Sequence, residues 1–235
     1  MTSNEQKQQT ALIVGASRGL GLALVDEYLK RGWRVIGTVR GSARTPLHEL
    51  AASTGDRLTI EQLDIDVPEQ VAALRQRLDG HPLDLLFVNA GIALDADKPI
   101  NDLGTDAFVR MMVTNALSPM RVIETFDSLV APGGAIVAMS SGLGSVSNNT
   151  DGGWEGYRAS KAALNTLMRS YAARQPVPTQ TLLLIAPGWV RTDMGGPQAT
   201  LDVSESIPLV VDVVTAQTGC SGLQFLNRRG ETVPW

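Results

Sequence analysis

The 235-residue chain has one cysteine, Cys220, and only two histidines, His48 and His81. A single cysteine excludes an internal disulfide and suits a reducing compartment. Neither histidine stands among ligand-like neighbours, so no metal site is expected. No apolar run approaches the roughly 20 residues needed to cross a bilayer. The longest, TLLLIAPGWV, is broken at Pro187. Twenty basic residues face 24 acidic ones, for a net charge of −4, and they form no basic block. Nucleic acid and anionic membrane surfaces are therefore not expected partners. The opening MTSNEQKQQT is polar and lacks the apolar centre of a signal peptide. Residues 1–9 are expected to form a flexible tail, residues 10–235 a single domain, and the cytoplasm is the expected location.

What the chain does have is 43% apolar residues in an alternating pattern. ALIVG, WRVIGTV, RLTIEQL, LDLLFVN, GAIVAMS and TLLLIAP are short, rich in Val, Ile and Leu, and apolar almost throughout. That is the signature of strands buried on both faces, as in a parallel sheet. Helical patterns lie between them at Leu20–Arg31, Thr45–Ser53, Glu69–Leu78, Thr105–Leu129, Glu155–Arg174 and Ser204–Gln217. The alternation implies βαβ units with right-handed crossovers. The expected fold is α/β: one Rossmann-type, doubly wound parallel sheet with helices on both faces. GLQFLN is expected to add an edge strand.

The first strand runs into GASRGLG, Gly15 to Gly21, and then into a helix. Glycines at 15, 19 and 21 let the backbone turn tightly and approach a pyrophosphate, with the helix N-terminus behind it. The second strand ends at Val39 and Arg40, where an acidic residue would favour NAD. With Arg18 in the turn, two guanidiniums and no carboxylate suit a 2′-phosphate, hence NADP(H) over NAD(H). Solvated surface arginines are the plain alternative.

Tyr157 and Lys161 lie four residues apart in EGYRASKAALN, on one face of a helix. The helix follows the long loop GLGSVSNNTDGG, Gly142 to Gly153, which leaves a strand end. In an open α/β sheet such loops border the ligand crevice. Trp154 and Trp189 could line an apolar mouth there, or simply pack.

Taken together, GASRGLG, VNAG at Val88–Gly91, Asn115, Ser140–Ser141, YRASK at Tyr157–Lys161 and PGWVRT at Pro187–Thr192 resemble the short-chain dehydrogenase/reductase family. They occur in that family's order along nearly the whole chain. GWVRTDMGG and the ending ETVPW are similar to the branch of Sniffer-type carbonyl reductases and C-factor-like proteins. The resemblance implies an oxidoreductase that interconverts a small-molecule carbonyl and an alcohol. It implies that Tyr157 protonates the carbonyl oxygen as hydride arrives from the nicotinamide. Lys161 would lower the tyrosine pKa and bind the nicotinamide ribose. Ser141, or less favourably Ser140, would hydrogen-bond the substrate oxygen, although the loop to Tyr157 is longer than the family's commonest spacing. Asn115 would hold a water in a proton relay. The implied cofactor set is Gly15, Ser17, Arg18, Gly19, Leu20 and Gly21; Arg40; Asp64 and Ile65; Asn89, Ala90 and Gly91; Tyr157 and Lys161; and Pro187, Gly188, Val190 and Thr192. Asp64 has a turn-forming role as its alternative. A homodimer or homotetramer is expected through Thr105–Leu129 and Glu155–Arg174, with Ala163, Leu167 and Tyr171 as an apolar stripe. The alternative to an enzyme is a C-factor-like signalling protein that binds NAD(P)(H) without significant turnover.

Overall fold

Residues 11 to 14 are all fully buried, yet they serve two different cores. Leu12 and Val14 point into one apolar cluster and Ala11 and Ile13 into another. This follows from the period of two along a strand, with both faces covered. The computed structural model describes residues 8–175 and 179–235, so most of the expected N-terminal tail, residues 1–7, lies outside the described residues.

Seven parallel strands form one sheet in the order β3-β2-β1-β4-β5-β6-β7. They are β1 (Thr10–Val14), β2 (Arg34–Val39), β3 (Leu58–Gln62), β4 (Leu83–Val88), β5 (Val130–Met139), β6 (Thr181–Ala186) and β7 (Leu223–Asn227). The edge strand expected from GLQFLN is β7. It runs parallel to β6, with Leu184 opposite Phe225. The helices are α1 (Gly19–Lys30), α2 (Pro46–Thr54), α3 (Pro68–Arg77), α4 (Thr105–Met112), α5 (Ser118–Phe126), α6 (Glu155–Arg174) and α7 (Val203–Gln217). Apolar residues of α1, α2 and α7 cover one face of the sheet, and those of α3, α5 and α6 cover the other. Among the described residues no helix is long and apolar enough to cross a membrane.

Two features depart from the sequence expectation. The first is the long helix over Thr105–Leu129, which is interrupted by a π-helical turn at Val113–Leu117. Pro119 has no N–H to donate to the carbonyl four residues back, that of Asn115, so a regular α-helical ladder cannot pass this point. The second is the last crossover. From β4 through β5 to β6 the chain steps along the sheet over one face, by α5 and α6. From β6 to β7 it steps in the same direction but over the opposite face, by α7. This connection therefore has the opposite hand to the others. Segment 187–202 carries the chain across the carboxyl edge of the sheet and delivers α7 to α1. There Arg31 bonds Asp212 at 2.8 Å and the Pro208 carbonyl at 3.2 Å.

The apolar stripe on α6 does not form one outward face. Tyr171 is buried in the chain's own core and donates to Asp127 at 3.2 Å, and Ala163 packs against that core. Leu167 alone of the three is exposed.

Candidate active site

The strand order reverses between β1 and β4, and the crevice opens at their carboxyl ends, where such sheets take ligands. The crevice is a cleft of about 1190 Å³. Its floor is built by the β1–α1 turn. Gly15 has φ +86°, and a Cβ on it would come within 2.8 Å of Ala90. A Cβ on Gly21 would meet the Gly15 carbonyl oxygen at 2.0 Å, so the helix can start this close to the strand only with glycine there. The turn is tied on both sides. Thr38 on β2 accepts the Gly15 N–H at 2.9 Å through its hydroxyl, and the Asn89 amide donates to the Gly15 carbonyl at 2.9 Å.

Nearly every residue expected to bind cofactor faces this cleft: Ser17, Arg18, Gly19 and Leu20, then Arg40, Asp64 and Ile65, then Asn89, Ala90 and Gly91, and finally Pro187, Gly188, Val190 and Thr192. Gly21 lies beneath the surface and acts through the shape of the turn. The two arginines differ. Arg18 is held by Asp193 across the mouth of the cleft. The Arg40 guanidinium has no hydrogen-bond or ion-pair partner among the described residues. Asp64 accepts the Asp66 N–H at 3.0 Å, so one of its oxygens makes the turn that its sequence context suggests.

The other end of the cleft carries Ser141, Tyr157 and Lys161. The neighbouring serines separate cleanly. Ser140 is buried and donates to Asn165 at 2.7 Å, whereas Ser141 lines the cleft with Tyr157, close enough for its hydroxyl to act on the phenol. Ser141 also accepts the Leu143 N–H at 3.1 Å, which fixes its orientation. Lys161 is 3% exposed, donates to the Met139 carbonyl at 2.9 Å, and lies 5.8 Å from the centre of the Tyr157 ring. A Cβ on Gly91 would come within 3.4 Å of the Lys161 ammonium, so the missing side chain leaves that group approachable.

Burial pushes the Tyr157 phenol up to about 12, partly offset by the nearby Ser141 hydroxyl, and pulls the Lys161 ammonium down to about 8. The family resemblance implies a tyrosine lowered by the lysine. Here desolvation is the dominant cause at both groups, because each charged form loses water with little to replace it.

Asn115 does not line the cleft. It is fully buried in the π-helical turn and exchanges both amide atoms with the backbone of Ile92, each at 2.7 Å. Its nitrogen also donates to Ser160 at 2.9 Å. The side chain thus clamps the segment after β4 to α6, and both of its polar atoms are committed to protein partners.

Sequence reasoning passed over Thr38, whose signal was one small polar residue in the buried run RVIGTV. It also passed over Asp193 and over Leu143, Met194 and Ile92, which line the same cleft. The ending ETVPW has a visible role: the Trp235 carbonyl accepts both the N–H and the hydroxyl of Ser147, at 3.0 and 2.7 Å. Its ring stacks under Arg169 at 4.5 Å. The loop after Ser141 is thereby anchored to a second part of the fold.

Residues 9–201 match the short chain dehydrogenase family. The chain belongs to it. Within the family, the protein is similar to a structure of a short-chain dehydrogenase/reductase from Burkholderia multivorans with bound NADP. The two are 55% identical, with 97% of this chain and all of that one aligned at a TM-score of 0.93. The carbonyl reductase Sniffer of D. melanogaster is 29% identical over 97% of this chain and all of its own, at a TM-score of 0.85. The C-signal of Myxococcus xanthus is 36% identical over 66% of this chain and 93% of its own length. Family membership makes the protein an oxidoreductase of the short-chain type.

Proposed function

We propose that the protein is an NADP(H)-dependent reductase that interconverts a carbonyl and an alcohol, with Tyr157 as general acid and base. The observation that carries this reading is that Tyr157 lines one cleft with Ser141 and lies one helical turn from a buried Lys161, in a cleft that also contains a glycine cradle. A module that only bound a dinucleotide would have no use for a phenol prepared in this way, so the signalling alternative is not adopted.

The residues present fit the cofactor. Gly15, Gly19 and Gly21 leave backbone room for a pyrophosphate, Lys161 can bond ribose hydroxyls, and the unpartnered Arg40 can take a 2′-phosphate. When bound, the dinucleotide supplies a hydride. The chain's own groups do the rest. Ser141 bonds the substrate oxygen and holds it near the phenol. Tyr157, protonated at neutral pH as phenols are, gives that oxygen a proton. Lys161 stabilises the phenolate that this leaves. Replacement of the proton runs through the Lys161 ammonium, which Gly91 leaves approachable.

The cofactor assignment has a direct test. Arg40→Ala is expected to cost about 1.5–3 kcal/mol of NADPH binding, the worth of a charge-assisted bond. NADH binding should change little. Asp193→Asn is expected to act in the opposite direction, because it releases Arg18 for the same phosphate. Calorimetric titration of wild type and both variants with NADPH and NADH would decide it. Equal wild-type affinity for the two cofactors would overturn the NADP(H) assignment.

A further inference from the structure

Trp154 immediately precedes α6 with φ 54° and ψ 33°, a left-handed conformation that is unusual for a bulky residue. Its surroundings hold it there. Gly152 and Gly153 before it both have φ +67°. Arg158 reaches back from α6 to bond the Gly153 carbonyl at 2.8 Å and the Gly152 carbonyl at 2.9 Å. The Arg158 N–H also donates to the Trp154 carbonyl at 2.8 Å. The indole is thereby fixed edge-on to the Tyr157 ring, with centroids 5.7 Å apart and planes at 81°. Strained backbone that its surroundings over-determine is a mark of functional sites.

The rest of this end of the cleft is apolar. Trp189 lines it with half of its surface exposed, its ring nitrogen bonded to the Gly195 carbonyl at 2.8 Å. Met194 and Leu143 line it as well. The charged groups of the cleft are otherwise engaged. Arg18 is with Asp193, Arg191 is with Asp202, and Asp66 accepts from Thr114. Arg40 stands at the end of β2, two strands from β4. Among the described residues that line the cleft beside Tyr157, the only cation not already paired with a carboxylate is Lys161, which the mechanism already uses.

We propose that the cleft takes an uncharged carbonyl compound bearing an aromatic or extended apolar group, and that Trp154, which lines the cleft with Trp189, sets that preference. This rests on the reductase reading for the carbonyl at Tyr157. It goes beyond that reading in naming the substrate class and the residue that selects it. A fixed aromatic wall gives contact area without loss of side-chain freedom on binding, so its contribution appears in substrate affinity.

The test compares acetophenone, acetone and phenylglyoxylate. Turnover is followed with NADPH, and binding is measured by calorimetry on protein loaded with NADP⁺, where no reduction occurs. Wild type should favour acetophenone over acetone and over the carboxylate. Trp154→Ala should reduce the acetophenone-to-acetone ratio of kcat/KM by about tenfold, the scale of one lost apolar contact, mainly through KM. Trp154→Phe should restore most of it. An unchanged ratio in Trp154→Ala, or a wild-type preference for phenylglyoxylate, would overturn the proposal. Aryl-selective binding without turnover would overturn the reductase reading and leave this one standing. Turnover without aryl preference would do the reverse, and absence of both binding and turnover would overturn both.

Discussion

Tyr157→Phe is expected to lower carbonyl reduction by about 10²–10⁴-fold, the usual worth of a positioned acid. NADPH affinity and stability should change little. The substitution removes one oxygen and keeps the ring, which is 7% exposed and packed edge-on against Trp154. Phenylalanine fills that space in the same rotamer. What disappears is the proposed proton donor. A phenol is protonated throughout the neutral range, and burial makes this one a still weaker acid by pushing it up to about 12. An acid that weak gives up its proton only to an oxygen gaining negative charge, which confines its action to the transition state. The loss should therefore fall on kcat and not on KM. Single-turnover oxidation of NADPH with a saturating aryl ketone measures it, with fluorescence titration of NADPH as the control. Full activity in the variant would refute the assignment of Tyr157.

Much of this site was legible because its parts are local. The glycine turn must follow β1 directly, and Tyr157 and Lys161 share a face by helical periodicity alone. The sheet was legible because strands covered on both faces carry unbroken apolar runs. Apart from the interrupted Thr105–Leu129 stretch, helix ends fell within one residue of the expected positions, the ordinary scatter of such boundaries. The parts that were not legible depend on what comes together from a distance. VTNALSP sits inside one long helical pattern, in which Pro119 marks a break; that the break takes the form of a π-helical turn, with Asn115 clamped to Ile92, is a tertiary result. The hand of the β6–β7 crossover is decided by α7 packing on α1. Neither partner's sequence shows it. The pairing of Arg18 with Asp193 joins residues 175 positions apart. It divides two arginines that look equivalent in the sequence. The left-handed Trp154 left one trace, the two glycines before it, and the stabilising Arg158 sits where any helix could carry an arginine.

Lys161→Met is expected to make the free protein more stable at neutral pH while removing nearly all activity. The ammonium is 3% exposed, and its protein hydrogen bond goes to an uncharged carbonyl, that of Met139. Burial pulls its pKa from 10.5 to about 8, so the folded protein holds this proton less tightly than the unfolded chain does. At pH 7 the lysine is still charged in both states, and folding bears the full cost of desolvating it. Between about pH 8 and 10.5 the unfolded chain binds the extra proton, so this group's contribution to stability rises with pH across that window. Methionine fills a similar volume without charge and removes both the cost and the slope. The Met139 carbonyl then loses a donor, which returns about 1 kcal/mol. The net gain should be on the order of 1–3 kcal/mol, as when other buried charges are replaced by apolar groups. For a chain of this size that corresponds to a Tm higher by about 2–10 °C at pH 7. The advantage should shrink as pH rises, because wild type sheds its buried charge while the variant has none to lose. NADPH affinity should mirror this: it weakens above about pH 8 in wild type, where the ammonium that holds the ribose is lost, and stays flat in the variant from a lower starting value. Thermal melts and NADPH titrations at pH 7, 8 and 9 test the two limbs separately. A variant that melts below wild type at pH 7 would show that Lys161 stabilises the fold rather than burdening it.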